Sequence, residues 1–322
     1  MFQAIRHHLF QLLLLVFILS FTAFIPAYAD DTDDSSDDSG HSSKEKIYTI
    51  ADDVEMKPEV KITYDKPRIV VKAVYPSIFS DTEDEHIDTF NQQINAIIVD
   101  EIANFRARVL DNVNAQSALP RSSVKNDLVI DFNASAINTN DNPVVSIRFT
   151  IQGAIAGVSP PYHTHHVFNY DLYNGQTIQL ADLFLPESDY LTLISKYSNQ
   201  ALARRLKDKE LVNTGTAPTE NNFKNWNINP YGLLITFDEG QVAPIVYGTQ
   251  TVLIPYSILK PMLAPDSAVM GCARHRRSCI QNNLLTGGFI DEAAAVPVSF
   301  AASNSARINA GHRILNPSPS KS

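Results

Sequence analysis

His166-Val-Phe-Asn-Tyr-Asp-Leu-Tyr-Asn-Gly-Gln-Thr-Ile-Gln-Leu-Ala-Asp-Leu-Phe184 is the stretch around which the chain is organised. Alternation predicts a strand with Val167, Asn169, Asp171 and Tyr173 on one face and Phe168, Tyr170 and Leu172 on the other. Asn174-Gly175 predicts a type I′ turn, because both central residues of that turn need positive φ. Thr177 to Leu180 then returns as the second strand of a hairpin, and Ala181-Asp-Leu-Phe184 leads towards a helix.

Upstream, Glu59 to Tyr64 alternates, and Arg68 to Tyr75 is a β-branched run that Pro76 is expected to end. Thr82-x-x-Glu85 has the form of a capping box. Behind it Ile87, Phe90, Ile94, Ile97, Ile98, Ile102, Phe105 and Val109 recur at steps of three and four, predicting an amphipathic helix over 83–110. Strands follow at Leu128–Ala136 and Val145–Ile151, separated by the turn cluster Asn138–Pro143. Downstream, Pro186-Glu187-Ser188 is read as the start of a second helix over 187–206. Strands are expected at Leu233–Phe237 and Ala243–Ile254, and a short helix at Pro255–Leu263. The fold class is α+β, with antiparallel meander sheets covered by the two helices.

The ends of the chain carry compartment information. Arg6, His7 and His8 precede an apolar run from Leu9 to Ile25, and Pro26-Ala-Tyr-Ala29 ends it with an A-x-A cleavage pattern. Residues 1–29 therefore read as a signal peptide, with an uncleaved anchor as the alternative, and the mature chain as periplasmic or secreted with no membrane span. Arg6 is the only charged residue of that leader, so cleavage takes the formal charge from −9 to −10. Six aspartates (Asp30, Asp31, Asp33, Asp34, Asp37 and Asp38) fall in a linker over 30–46, expected to be disordered because its composition buries too little apolar surface. Nothing in the charge pattern indicates nucleic acid. Cys272 and Cys279 are the only cysteines, and in an exported chain so close a pair predicts a small disulfide loop. The segment 264–322 reads as an extension, largely disordered after 291.

Asn169-x-Asp171-Leu172-x-x-Gly175 followed by Leu180-x-Asp182-Leu183-Phe184 resembles a family of extracytoplasmic domains of unknown function. That family is typified by the C-terminal domain of the lysozyme-sensing anti-sigma-V factor. A second block is similar too: Gly232-Leu-x-Ile-x-Phe237, Val242-Ala243-Pro244, Gly248 and Val252-x-Ile254-Pro255-Tyr256. Tyr75-Pro76 and Ile94-Asn95 resemble the companion domain found at the N-terminus of some peptidoglycan deacetylases. The resemblance covers roughly 59–263 and implies a companion subdomain over 47–155 and a second α/β domain over 156–263. It implies a lysozyme-like protein or a peptidoglycan fragment as partner, and Asn169, Asp171, Gly175, Asp182, Phe184, Pro244 and Gly248 as a structural signature. The loop Gly157–His166 departs from the family's Gly-Ala-His-Pro, and Gly240-Gln241 replaces its aromatic–acidic pair. A cleavable leader implies that the chain is not itself an anti-sigma factor.

Candidate chemistry is sparse. His163 and His165 share a strand face while His166 points away, so three-ligand convergence would need a bend. Thr236-Phe-Asp-Glu-Gly240 resembles the carboxylate block of polysaccharide deacetylases, but no His-Ser/Thr-x-x-His motif follows it. Asp171 and Asp182 read as turn and helix-entry carboxylates rather than a glycosidase pair. The expected function is a non-enzymatic binding module without cofactor, catalytic residue or metal, contacting its ligand through Pro160, Pro161, Tyr162 and His163. The alternative is a metal-dependent hydrolase or deacetylase of peptidoglycan or another glycan, using the histidines with Asp171 or Asp238.

Overall fold

The computed structural model describes residues 47–51, 53–65, 68–112, 126–139, 142–275 and Cys279. The leader, the acidic linker, most of the C-terminal extension and residues 113–125 lie outside the described residues. In chain order come β1 (Tyr48–Ala51), β2 (Val54–Asp65), β3 (Ile69–Ser80) and the long helix α1 (Glu85–Asp111). Next are β4 (Asn126–Thr139), β5 (Asn142–Ala154), β6 (Tyr162–Asp171) and β7 (Gln176–Thr177). After them come α2 (Tyr190–Ala203), α3 (Lys209–Gly215), β8 (Trp226–Asn229), β9 (Gly232–Phe237), β10 (Gln250–Pro255), α4 (Tyr256–Leu259) and α5 (Met270–Arg274).

Strands β1 to β7 form one seven-stranded sheet in sequence order, and β10-β9-β8 form a small second sheet. Every pairing is antiparallel except β3 with β4. The antiparallel meander read from the sequence is β4 to β7, and the one parallel pair joins it to β1–β3. A parallel neighbour needs a crossover, and α1 supplies it. The α+β class itself holds. Strand β6 pairs with β5 from Tyr162 opposite Gly153 to Asp171 opposite Val144, so the large sheet runs across the boundary read at 155/156.

Register decides the faces, because residues directly opposite point the same way. Val71, Ala73, Leu128, Ile130, Val145, Ile147, Phe149 and Tyr170 bury one face against Ile87, Phe90, Ile94, Ile98, Ile102, Phe105 and Val109 of α1. Each buried Val, Leu, Ile or Phe among them contributes about 1.5–3 kcal/mol of transfer free energy. The capping residue is Asp84, whose carboxylate accepts the His86 N–H, and Thr82 instead shares a hydrogen bond with Ser80. The capping-box reading is therefore corrected by two residues. Pro76 does not end its strand: β3 continues through it to Ser80, with Pro76 opposite Pro58. Pairing with β4 stops at Ala73, so the missing N–H falls where one side of β3 is open.

The opposite face of β4, β5 and β6 receives the small sheet through a buried polar knot. Ser146 Oγ donates to Asn169 Oδ1 at 2.5 Å and accepts from Asn227 Nδ2 and the Ile228 N–H, both at 3.0 Å. Asn169 Nδ2 in turn reaches the Trp226 carbonyl at 3.1 Å. Around this knot a second core gathers Ile137, Val144, Phe184, Ile194, Leu202, Phe223, Trp226, Ile235, Phe237 and Cys272. The disulfide Cys272–Cys279 is formed and buried within it.

Three local expectations change. Only Gly175 of the Asn174-Gly175 pair has positive φ, so the turn is not type I′. Asp171 instead accepts the Asn174 N–H at 2.9 Å and its side-chain amide at 2.7 Å, and the return strand shortens to Gln176–Thr177. Glu187 lies at φ 61°, which breaks the helix read from 187 and moves its start to Tyr190. The strand read from Ala243 is a 3-10 turn over Ile245–Tyr247, with β10 starting at Gln250. Pro244 and the left-handed Gly248 bound that turn.

Candidate functional site

Strand β6 carries three histidines in four positions, and each meets a carboxylate distant in sequence. His163 Nδ1 lies 2.8 Å from Glu239 Oε1, and His165 Nδ1 lies 2.7 Å from Asp238 Oδ1. His166, on the other face, places Nδ1 3.3 Å from Glu101 Oε1 of α1, its ring edge-on to Phe149. The three do not converge, as period-two alternation requires. Of the two carboxylates named beside them in the sequence, Asp238 reaches the cluster and Asp171 stays in its turn.

Asp238 is held from behind. Asp238 Oδ2 accepts from Asn225 Nδ2 at 3.0 Å, and the Asp238 N–H donates to Gln241 Oε1 at 3.2 Å. Gln241 Nε2 donates to the carbonyls of Gly215 and Asn222. Gly240, at φ 83°, turns the chain between them. The side chains of His165 and Asp238 are 5% and 18% exposed, against 38% for His163. His165–Asp238 is thus an internal tie and His163–Glu239 a surface one. Beside them Arg148 NH1 donates to Thr236 Oγ1 at 3.1 Å, and burial pushes the guanidinium pKa down.

Two exposed segments flank the surface tie. Before His163, the loop from Gly157 (φ 81°) exposes Val158, Ser159, Pro160 and Pro161, with a cis Ser159–Pro160 bond. After Glu239, the 3-10 turn Ile245–Tyr247 exposes three large apolar side chains in succession, with Val246 87% accessible. Among the sequence-predicted contact residues, Pro160 and Pro161 are exposed and His163 is half-exposed. Tyr162 is held by packing: Arg108 lies 4.7 Å over its ring, and its ring fills the space a side chain at Gly153 would need. Burial raises its hydroxyl pKa.

The signature residues are structural in their contacts. Asn169 is part of the buried knot, and Asp171 and Gly175 form the hairpin turn. Asp182 accepts the Gln179 N–H at 2.7 Å, capping the 3-10 helix Leu180–Leu183. Phe184 stacks on Tyr190 with centroids 4.4 Å apart. Sequence reasoning named neither Glu239, Glu101 nor Asn225 as partners, nor Ile245–Tyr247 as exposed. Among the described residues no group of three or more His, Cys, Asp or Glu side chains is arranged to hold a metal ion, and no helix is long and apolar enough to cross a membrane.

Comparison with known proteins now places the second block. A family model described as "Protein of unknown function (DUF3298)" matches residues 181–257, the segment with Asp182, Phe184, Asp238, Pro244 and Gly248. The family resemblance read from these motifs holds over that segment. The chain is 32% identical over 99 residues to the peptidoglycan-N-acetylmuramic acid deacetylase PdaC of Bacillus subtilis (strain 168). That alignment covers 30% of this chain and 21% of the deacetylase, so the chain spans about a fifth of that relative's length. A DUF3298 family structure from Bacteroides fragilis overlays with a TM-score of 0.44 at 16% identity, covering 69% of this chain and 96% of that one. A second, from Pseudomonas aeruginosa PAO1, gives 0.40 at 13% identity, covering 66% and 94%.

Proposed function

We propose that this chain is an exported binding module for a cell-wall ligand, a peptidoglycan fragment, contacted by the paired segments Val158–His163 and Glu239–Tyr247. The observation that carries this reading is the His163–Glu239 hydrogen bond, which couples a proline-rich exposed loop to an exposed apolar turn. Rigid prolines and an apolar turn fixed at both ends lose little conformational entropy on binding. Exposed apolar side chains bordered by polar groups are a common form of contact surface.

Export is supported by the leader pattern and by the buried disulfide, a bond that forms and persists mainly in oxidising compartments. The choice of a wall ligand over a lysozyme-like protein is supported by the similarity to part of a peptidoglycan deacetylase. Hydrolysis fits the geometry less well. Both oxygens of Asp238 are taken by His165 and Asn225, and Asp171 and Asp182 hold backbone N–H groups.

Co-sedimentation of the purified protein with insoluble peptidoglycan, beside calorimetric titration with muropeptides and with lysozyme, tests the reading. Retention by the wall fraction, lost in Val246→Asp and weakened in His163→Ala, is expected. Retention unchanged in both variants removes this surface from the reading. Binding to lysozyme alone replaces the wall ligand with a protein.

A further inference from the structure

Among the described residues, strand β2 has an open edge along most of its length. β1 pairs only with its beginning, from Tyr48 opposite Met56 to Ala51 opposite Val54. From Lys57 to Asp65, among the described residues, β3 is its only partner. Apart from Pro58, which has no N–H, the outward-facing residues of this stretch offer N–H and C=O groups that no described strand pairs, a template for another strand. The far edge of the same sheet ends instead in the two-residue β7.

The side chains along this edge alternate by chemistry. Lys57, Glu59, Lys61, Thr63 and Asp65 lie on the α1 face, where Asp65 meets Arg106. Pro58, Val60, Ile62 and Tyr64 lie on the other face, and Val60, Ile62 and Tyr64 are 59%, 52% and 75% exposed. Large β-branched and aromatic side chains so exposed on an edge strand are what a further strand alongside would cover in part.

We propose that this edge pairs antiparallel with the same edge of a second copy of the chain, about a two-fold axis at Lys61. Charge and the length of the seam together favour that register. With the axis at Lys61, Lys57 faces the partner's Asp65 at both ends of the seam, Val60 faces Ile62, and Pro58 faces Tyr64. Lys61 faces its own copy, the one pair of like charges directly opposite, and Glu59 stands diagonal to the partner's Lys61 and to its Asp65. With the axis at Ile62, Glu59 would face Asp65, and like charges directly opposite are destabilising. With the axis at Val60, the partner's Tyr64 would fall opposite Met56, where Tyr48 already sits. A self-complementary patch used by both copies is what two-fold symmetry requires.

Sedimentation velocity on the full chain from micromolar to millimolar concentration tests this. A mass that doubles with concentration is expected, and Ile62→Lys holds it at the monomer value with an unchanged far-ultraviolet spectrum and thermal midpoint. Under mild oxidation Lys61→Cys forms a covalent dimer, whereas Lys57→Cys does not, because its copies stand at opposite ends of the seam. A single monomer mass at every concentration, as when another segment or a peptide covers the edge, overturns the proposal. Equal cross-linking at both positions overturns the register and with it the charge argument.

Discussion

His165 Nδ1 lies 2.7 Å from Asp238 Oδ1, tying the middle of a strand in the large sheet to the end of a strand in the small one. Two residues before it, His163 makes the same kind of contact to Glu239 at the surface. The two pairs are alike in chemistry and differ in burial, and burial is what separates their consequences.

Asp238→Ala leaves His165 and Asn225 without their shared acceptor in a site of low exposure. A loss of about 1–3 kcal/mol in urea unfolding is expected, the cost of buried groups left unpaired. His163→Ala removes a half-exposed pair, and its stability change is expected to stay within about 1 kcal/mol. A His163→Ala loss as large as that of Asp238→Ala would show that the surface pair also holds the fold.

Gly175→Ala combines two penalties. Its φ of 66° is left-handed, and an added Cβ would stand 2.3 Å from His86 Cδ2. Backbone strain contributes about 1–2 kcal/mol, and displacement of the His86 ring adds to it. The His86 ring also lies near the Leu172 carbonyl, Nδ1 to O 3.2 Å. Thermal unfolding of Gly175→Ala, His86→Ala and the double variant is expected to show non-additivity, since the clash vanishes when the ring is removed.

Tyr256 is fully buried and donates its hydroxyl to the Asn229 carbonyl at 2.8 Å, and burial raises its pKa far above the ordinary value of 10.0. The folded chain therefore keeps this proton where the unfolded chain loses it. Its contribution is fully present below pH 10 and falls as pH rises above it, by at most about 1.4 kcal/mol per pH unit. Tyr256→Phe should flatten that alkaline slope while costing about 1–3 kcal/mol at neutral pH, because the Asn229 carbonyl loses its donor. Denaturant midpoints measured from pH 7 to 11 check both halves.

The Cys272–Cys279 bridge closes a loop with a sequence separation of 7. Reduction is expected to lower stability by about 2–3 kcal/mol through loop-closure entropy in the unfolded chain. Both cysteines are buried, so reduction should require partial unfolding and depend on denaturant. Thiol labelling with and without urea measures this.

The sequence by itself determined what local spacing encodes: the core stripe of α1, the alternation of β4, β5 and β6, and the pairing of two cysteines with no competitors. It also placed Asp171 and Asp182 as carboxylates for backbone N–H groups, a role written into neighbouring residues. Tertiary structure alone decided the rest, because it depends on contacts between residues far apart in the chain. Which carboxylate meets which histidine is set by β9 ending beside β6, across separations of 73 and 76 residues. Asn169 stands out in sequence only as the head of a motif with no partner named, and becomes the centre of a buried knot when β8 crosses Ser146. The parallel β3–β4 pair follows from strand order, and the open edge of β2 among the described residues from the shortness of β1, neither of which period-two alternation encodes.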